Sequence, residues 1–438
     1  MFDDSFSRSL PTSGLNLRAI STSVFVACLV YFVAFGVVVL DISFPSILRA
    51  AATLLLLAVL FVITSASPIM GLRTVAVLLI PQKILINQAV LINSLPLMET
   101  LLLAAIFSAR PVRKELPGRP VLLVCLVFVG LQFVVSPMTV DAVRGMFGIV
   151  SFCCIFLIVA PTLHADEAVD VIRDYVNLTR VFAVLALVTY NWGALQRLGP
   201  ELALNSNNTA QFSCIGLVGA FYLWRRGKIT PKTGITVLIL LTPVLFLAAS
   251  RTFMLASVLG ILLSLNLTRA ALVLGALSAV VSALLLVIPV QDSGVLQQLT
   301  KGLAVRSLED VSTFRWILTI RGLELYYEAP FFGTGMGTSR ALVDVYREAH
   351  DNFLPIHNLF LLYLVEFGIV GPLLVIWWLV TMVIGSALNG ARLCVAFSLA
   401  FFFSGMISGP FFDAEYAVIW AASAALVARK PLGAGAPS

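Results

Sequence analysis

TGITVLILLTPVLFLAASRTFMLASVLGILLSLNL, residues 233–267, carries a single charge, Arg251. The run is about twice the length one membrane span needs. As one straight helix it would leave Arg251 deep in lipid and carry Arg269 to the far side. Two short helices joined by a tight turn at Ala249–Thr252 bring Arg251 to a membrane face, which avoids a lipid-exposed charge. The stretch predicts a helical hairpin whose tip displays an arginine.

The same reading extends outward. The chain has 438 residues, of which 60% are hydrophobic, and a mean hydropathy of +1.02. Apolar runs of about 20 residues recur along it, as in a helical protein that crosses a bilayer many times. Expected spans are Ala19–Leu40, Leu48–Ser65, Ile92–Ser108, Val121–Ser136, Met146–Leu163, Val181–Leu195 and Phe212–Trp224. After the hairpin come Ala271–Val290, Asn358–Ala387, Cys394–Ile407 and Ala417–Val427. Residues 72–91 carry Pro81, Gln82, Lys83 and Gln88 and read as a span lining a polar interior or as a re-entrant piece. The segment HADEAVDVIRDYVNLTR, residues 164–180, reads as polar and cytoplasmic. The expected class is all-α: a polytopic integral membrane protein with about 12–14 transmembrane helices. Residues 1–438 then form one transmembrane domain with a large external loop at 291–356.

Charge sets the orientation. Arg110–Arg119, Arg225–Lys232 and Arg429–Lys430 fall on one side by parity, and basic loops face the cytoplasm. Both termini are expected inside. The formal net charge of +6 does not imply a nucleic-acid partner, because the basic residues sit mainly in short loops. The six cysteines all lie within apolar runs and read as packing residues rather than disulfides. The start of the chain has no short basic stretch with a cleavage site, so the first run reads as a retained span.

Polarity gathers between Arg315 and Gly371, RWILTIRGLELYYEAPFFGTGMGTSRALVDVYREAHDNFLPIHNLFLLYLVEFGIVG. Ile317–Tyr327 suits a helix lying on the membrane. Gly333, Gly335 and Gly337 form GTGMG, which reads as a tight turn. A backbone nest for phosphate is the alternative, and the strand, spacing and cytoplasmic nucleotide of a dinucleotide site are missing. His350 and His357 lack metal-ligand spacing, and either can serve as a general base. On a straight helix His357 shares a face with Leu361, Leu364, Gly368 and Gly371. Glu366 stands about half a turn out of phase and roughly 13 Å further along, so it cannot orient His357 unless the helix breaks. An ionised Glu366 at membrane depth needs a partner, and an arginine is the obvious one. Asn205, Asn207 and Asn208 read as a loop and helix cap, with sugar hydroxyl recognition as the other use. Arg251 reads as a snorkelling arginine or as an anion contact, since its fork matches phosphate oxygens.

His357-Asn358, Leu361, Glu366, Gly368 and Gly371 resemble the HNxxLxxxxExGxxG signature of the O-antigen ligase and Wzy-type polymerase family. NSNNTA with Asn208, SRT with Arg251, FRW with Arg315 and PFFGTGMG precede it in matching order. The signature region covers about residues 205–384, and the first two hundred residues resemble the family only in hydropathy.

The resemblance implies a metal-independent glycosyltransferase of the bacterial inner membrane, with its active site facing the periplasm and no cofactor. It implies an undecaprenyl-diphosphate-linked saccharide as donor and a growing glycan or lipid as acceptor. A chain-length regulator and a flippase are expected neighbours. Arg251 and Arg315 map to diphosphate contacts and His357 to the base. Asn358, Glu366, Gly333, Gly335, Gly337 and Asn208 map to supporting positions. The leading expectation is a repeat-unit polymerase for a surface polysaccharide or exopolysaccharide, with an O-antigen ligase second. A protein O-oligosaccharyltransferase is a further enzyme option. A lipid-linked sugar flippase is the reading from another class. It calls for polar residues deep in several spans and for pseudo-symmetric broken helices, whereas polarity here collects at one outer face.

A periplasm-specific reporter fused after Gly337 is expected to be active and a cytoplasmic one silent. Cytoplasmic activity there would remove this topology and the site with it.

Overall fold

The computed structural model describes residues 46–87, 118–137, 139–192, 198, 204, 206–264, 315–339, 358–388, 392–405 and 414–426. Among these it has 13 helices and no strand. They are α1 (Ser46–Ala66), α2 (Pro68–Asn87), α3 (Arg119–Val135), α4 (Val140–Thr162), α5 (Ala165–Thr189) and α6 (Ser206–Arg225). Then follow α7 (Pro231–Leu247), α8 (Arg251–Ser264), α9 (Arg315–Glu328), α10 (Leu359–Phe367), α11 (Val370–Leu388), α12 (Arg392–Gly405) and α13 (Ala414–Ala425). The expected spans Ala19–Leu40, Ile92–Ser108 and Ala271–Val290 lie outside the described residues, as do both termini and most of 291–356.

Among the described residues, two helices are long and apolar enough to cross a membrane, over Gly145–Thr162 in α4 and Val370–Ala387 in α11. α1, α2, α3, α7 and α8 contain shorter apolar helices. Large apolar side chains stand on outward faces, as with Leu123, Val127, Leu131 and Val134 on α3 and Leu373, Ile376 and Trp377 on α11. In water such stripes would be costly, whereas in lipid they are the expected exterior.

Residue contacts fix the helix directions. A Cβ on Gly216 of α6 would meet Thr179 of α5 and Leu241 of α7, and Gly219 faces Ile172 and Val176 of α5. Gly234 of α7 faces Trp224 of α6. α6 therefore runs antiparallel to both α5 and α7. Gly260 of α8 lies against Val218 of α6, and Ser257 lies beside Cys214. α8 is thus parallel to α6, so the chain reverses between α7 and α8. The hairpin expected from residues 233–267 is present, with Ala249 at φ 51 in its turn.

Tracing these directions separates two ends. One end holds the junctions 163–164 and 226–230, the last turn of α11 and the first turn of α12. There Lys228 pairs with Asp166 at 3.6 Å, with Arg225 and Arg226 close by in sequence. The other end gathers the α3–α4 turn, the approach to α6, the α7–α8 turn and the α10–α11 junction. Leu198 donates its N–H to Leu247 O at 3.0 Å, which folds the chain after α5 over the end of α7.

Two segments bear comparison with the sequence, and the second differs from expectation. Residues 72–91 lie largely within α2, whose Leu72, Ala76, Val77 and Ile80 are buried. Residues 164–180 are not a polar connection but the start of a helix that continues to Thr189. The His164 N–H donates to Glu167 at 2.9 Å, and Asp166 and Glu167 suit the positive helix start. Ala168, Val171, Ile172, Tyr175 and Val176 recur on one buried face. Helical period, not net polarity, decides the segment. Asp141 and Arg144, which lie between the expected spans Val121–Ser136 and Met146–Leu163, fall in the first turns of α4, which Thr139 caps through Ala142 N–H.

The core centres on Phe152 and Phe156 of α4, Trp378 of α11 and Trp420 of α13. Their ring centroids lie 4.7–5.8 Å apart, mostly edge-on. The cysteines Cys125, Cys153, Cys154, Cys214 and Cys394 are free, as expected, and Cys28 lies outside the described residues.

One ion pair ties α2 to α5. Arg73 Nε and Nη2 donate to the two oxygens of Asp174 at 2.5 and 3.2 Å, and their side chains are 14% and 4% exposed. The fork satisfies both carboxylate oxygens where water cannot. Removing one partner from a buried pair costs about 3–5 kcal/mol, because the other charge is left alone. Arg73→Met and Asp174→Leu singly are therefore expected to lower the unfolding temperature in detergent sharply. The double variant should recover most of the loss, and additive losses would show that the pair is not coupled.

Candidate functional site

The α10–α11 junction is a backbone device. The helix stops at Phe367 because Gly368 adopts φ 63, ψ −160, a conformation L residues rarely take. The stop frees the carbonyls of Val365 and Glu366 from helical bonding. The GTGMG loop supplies their donors: Thr334 N–H reaches Val365 O at 2.8 Å and Gly335 N–H reaches Glu366 O at 3.1 Å. In return Ile369 N–H donates to Pro330 O at 2.9 Å. The two backbones nearly touch. A Cβ on Gly333 would lie 2.3 Å from the Glu366 carbonyl carbon, and one on Gly368 would lie 2.3 Å from that of Phe331.

Sequence reasoning treated Asn358–Ala387 as one straight helix. The break at Gly368 corrects this, and it falls beyond Glu366 rather than between Glu366 and His357. The glycine loop proves to be a packing turn. Gly333 N–H donates to Ala329 O at 2.9 Å, and Met336 N–H donates to Ser136 Oγ at 2.8 Å. The N–H groups from Gly333 to Met336 are thus all taken by protein acceptors. Gly337, at φ 73, completes the turn.

The loop is also fastened to α3. Gln132 Nε2 donates to Phe332 O at 2.9 Å, and Ser136 donates to Gln132 O at 2.6 Å. Met336 is buried against Gly145 of α4. α9 docks on α10, with Gly322 against Leu361 and with Leu325 packed among Leu361 and Val365.

Glu366 is buried at 8% exposure, and Ser339 donates to its Oε1 at 2.5 Å. Ser339 is thus one partner of Glu366. Asn358 caps α10: its Oδ1 accepts from Leu361 N–H at 3.1 Å. It thereby fixes the backbone direction just after His357. His357 itself lies outside the described residues, as do Asn205 and His350. Arg315 is the first residue of α9, and its backbone alone is described.

Arg251 opens α8 and is exposed. The α6–α8 register set by Cys214–Ser257 and Val218–Gly260 puts Asn208, in the first turn of α6, level with Arg251. Two helix N-termini and a guanidinium therefore meet at this end, and both features favour anions. The structure brings Asn208, Arg251, the glycine loop, Glu366 and Asn358 to one end of the bundle.

Sequence reasoning missed Gln132, Ser136 and Ser339. Gln132 had a signal, since it is the one amide in the apolar run Val121–Ser136. Ser339 had none.

A helical bundle with apolar outer faces and one polar, glycine-clamped end is that of a membrane protein. Residues 235–377, about a third of the chain, match the family model described as O-antigen ligase (Wzy_C), which supports a place in the O-antigen ligase and Wzy-type family. The match runs from α7 into α11 and takes in Arg251, Arg315, the glycine loop, His357, Asn358 and Glu366. Among curated proteins, none matches the chain.

Gly333→Ala and Gly368→Ala are each expected to abolish function and lower stability, since the new methyl would meet backbone rather than a movable side chain. Gly227→Ala is the control, with φ +67 but nothing within 4 Å. It should cost only the left-handed strain, roughly 1–2 kcal/mol. Equal losses at all three positions would mean that backbone strain, not close approach, explains the site glycines.

Proposed function

We propose that the protein is a membrane glycosyltransferase that transfers a saccharide from an undecaprenyl-diphosphate carrier to a sugar hydroxyl, in the leading reading another lipid-linked repeat unit. One observation carries this: within the family-matched segment, Arg251 shares a bundle end with the Gly333–Gly368 clamp and Glu366. The basic junction at Arg225–Lys228 lies at the opposite end. Basic residues favour the cytoplasm, which supports a periplasmic site.

The chemistry follows. The acceptor oxygen attacks the anomeric carbon as its proton passes to His357. The bond from that carbon to the diphosphate oxygen breaks, and the diphosphate leaves with the electron pair. Arg251 and Arg315 hold the growing negative charge, aided by the N-termini of α6 and α8. Guanidinium forks do this without a metal. Glu366, held by Ser339, and Asn358 fix α10 and so the exit of His357.

The ligase reading, transfer to lipid A-core, is favoured by the description of the matching family, O-antigen ligase. A deletion strain separates the two. Single lipid-linked units accumulate when a polymerase is lost, and long polymer stays on its carrier when a ligase is lost.

In purified enzyme, His357→Gln is expected to bind donor nearly normally and to turn over about a hundred- to ten-thousandfold more slowly. Arg251→Lys should weaken donor use because it keeps the charge and loses the fork. Turnover of His357→Gln within a few-fold of wild type at saturating substrates would exclude His357 as the base.

A further inference from the structure

α9 docks on α10 through one face, with Gly322 against Leu361 and Leu325 buried beside Leu361 and Val365. Its remaining surface divides in two. At about 100° per residue, the exposed Ile320, Leu323 and Tyr327 share one arc roughly 60° wide. Arg321, Glu324 and Glu328 share the neighbouring arc, and Arg321 donates to Glu324 Oε2 at 2.7 Å. Beyond the helix the apolar arc continues into Phe331 and Phe332. Tyr327, Phe331 and Phe332 are 76%, 71% and 66% exposed, which would be costly in water. Hydrogen bonds show what adjoins them. Gln132 Nε2 donates to Phe332 O and Met336 N–H to Ser136 Oγ, so the phenylalanines sit at the end of α3, where Val134 and Val135 are exposed. Ile369 N–H donates to Pro330 O, so they also sit at the start of the membrane-length stretch Val370–Ala387, beside the exposed Ile369 and Leu373. The aromatic patch thus prolongs the apolar outer surfaces of α3 and α11 at the level where α11 enters the bilayer.

We propose that α9 is an in-plane helix whose Ile320–Leu323–Tyr327 flank, together with Phe331 and Phe332, is seated in the adjoining membrane leaflet while Arg321, Glu324 and Glu328 face water. The partner is the lipid surface itself, at the boundary between headgroups and acyl chains. Aromatic side chains favour that layer, and an interfacial helix buries its apolar flank there. Arg321 and Glu324 neutralise each other, so the seating rests on apolar contact and not on anionic headgroups. It has a consequence for the site. The Phe331–Phe332 backbone lies against Gly368, so the depth of these two side chains fixes the height of the glycine clamp relative to the membrane. None of this depends on the transfer reaction proposed above.

Photocrosslinking of the full-length protein tests this. Benzoyl-phenylalanine replaces Tyr327, Phe331, Glu324, Glu328 or Leu373 one at a time. Each protein is irradiated in phosphatidylcholine nanodiscs, with and without phosphatidylglycerol, and its adducts are identified by mass. Lipid adducts at 327 and 331 should approach the yield at 373 and exceed those at 324 and 328 severalfold. Neither phosphatidylglycerol nor salt should change them. The double change Phe331→Asp with Phe332→Asp should cut lipid adducts at 327 severalfold and leave those at 373 unchanged. Should that variant misfold, the comparison among 324, 327, 328 and 331 decides alone. Yields at 327 and 331 no higher than at 324 and 328 would place the patch in water and overturn the proposal. Adducts to a second copy of the chain would make it a protein interface and overturn it as well. Yields that rise with phosphatidylglycerol would overturn the apolar account of the seating.

Discussion

The close approach of two backbones at Gly333 and Gly368 governs the polar end. A helix that stops inside a membrane protein exposes carbonyls, and each unsatisfied group in an apolar setting costs several kcal/mol. The stop at Phe367 survives because the GTGMG loop brings N–H groups to Val365 and Glu366. That bonding requires the two backbones to lie closer than a Cβ permits. Everything above the break follows from it: the placing of α10, the cap at Asn358 and the depth of Glu366.

The two ends of the bundle are held differently. Toward the basic end, stability comes from dense apolar packing, with the Phe152–Phe156–Trp378–Trp420 cluster at mid-bundle, and glycines let α6 approach α5, α7 and α8. Small residues at helix contacts are the membrane's substitute for a hydrophobic driving force. Toward the polar end, hydrogen bonds take over, through Gln132, Ser136, Thr334 and Ser339. The Arg73–Asp174 pair is the exception, a charged link tying α2 to α5. A well-packed body thus carries a rim whose geometry is set by directional bonds, which suits a site that must hold reacting groups in place.

Much of the helical layout was legible because lipid imposes simple rules. A lone arginine in a long apolar run forces a turn, and the α7–α8 reversal stands where Arg251 requires it. The amphipathic stretch Ile317–Tyr327 falls within α9. What escaped were long-range matches. Nothing in the spacing after His357 announces that Gly368 breaks the helix, because the cause is a partner loop far upstream in sequence, whose Phe331–Phe332 backbone lies against Gly368. The serine on Glu366 was hidden for the same reason. Local charge density misled over α5, where helical period was the better guide. The resemblance supplied roles for Arg251, Arg315 and His357, while the structure adds why the neighbouring glycines and Asn358 are needed.

The turn at Ala249 has a consequence for biosynthesis. α7 and the described part of α8 hold 17 and 14 residues, each short for an independent span. If α7 entered the bilayer alone and paused, Arg251 would follow it into the hydrocarbon, where an arginine costs about 2.5–3.5 kcal/mol by insertion scales. Entering together as a preformed pair, the helices carry the guanidinium straight through to the opposite headgroups. The residue proposed to hold the diphosphate is thus also the one that makes α7 and α8 a single unit of insertion.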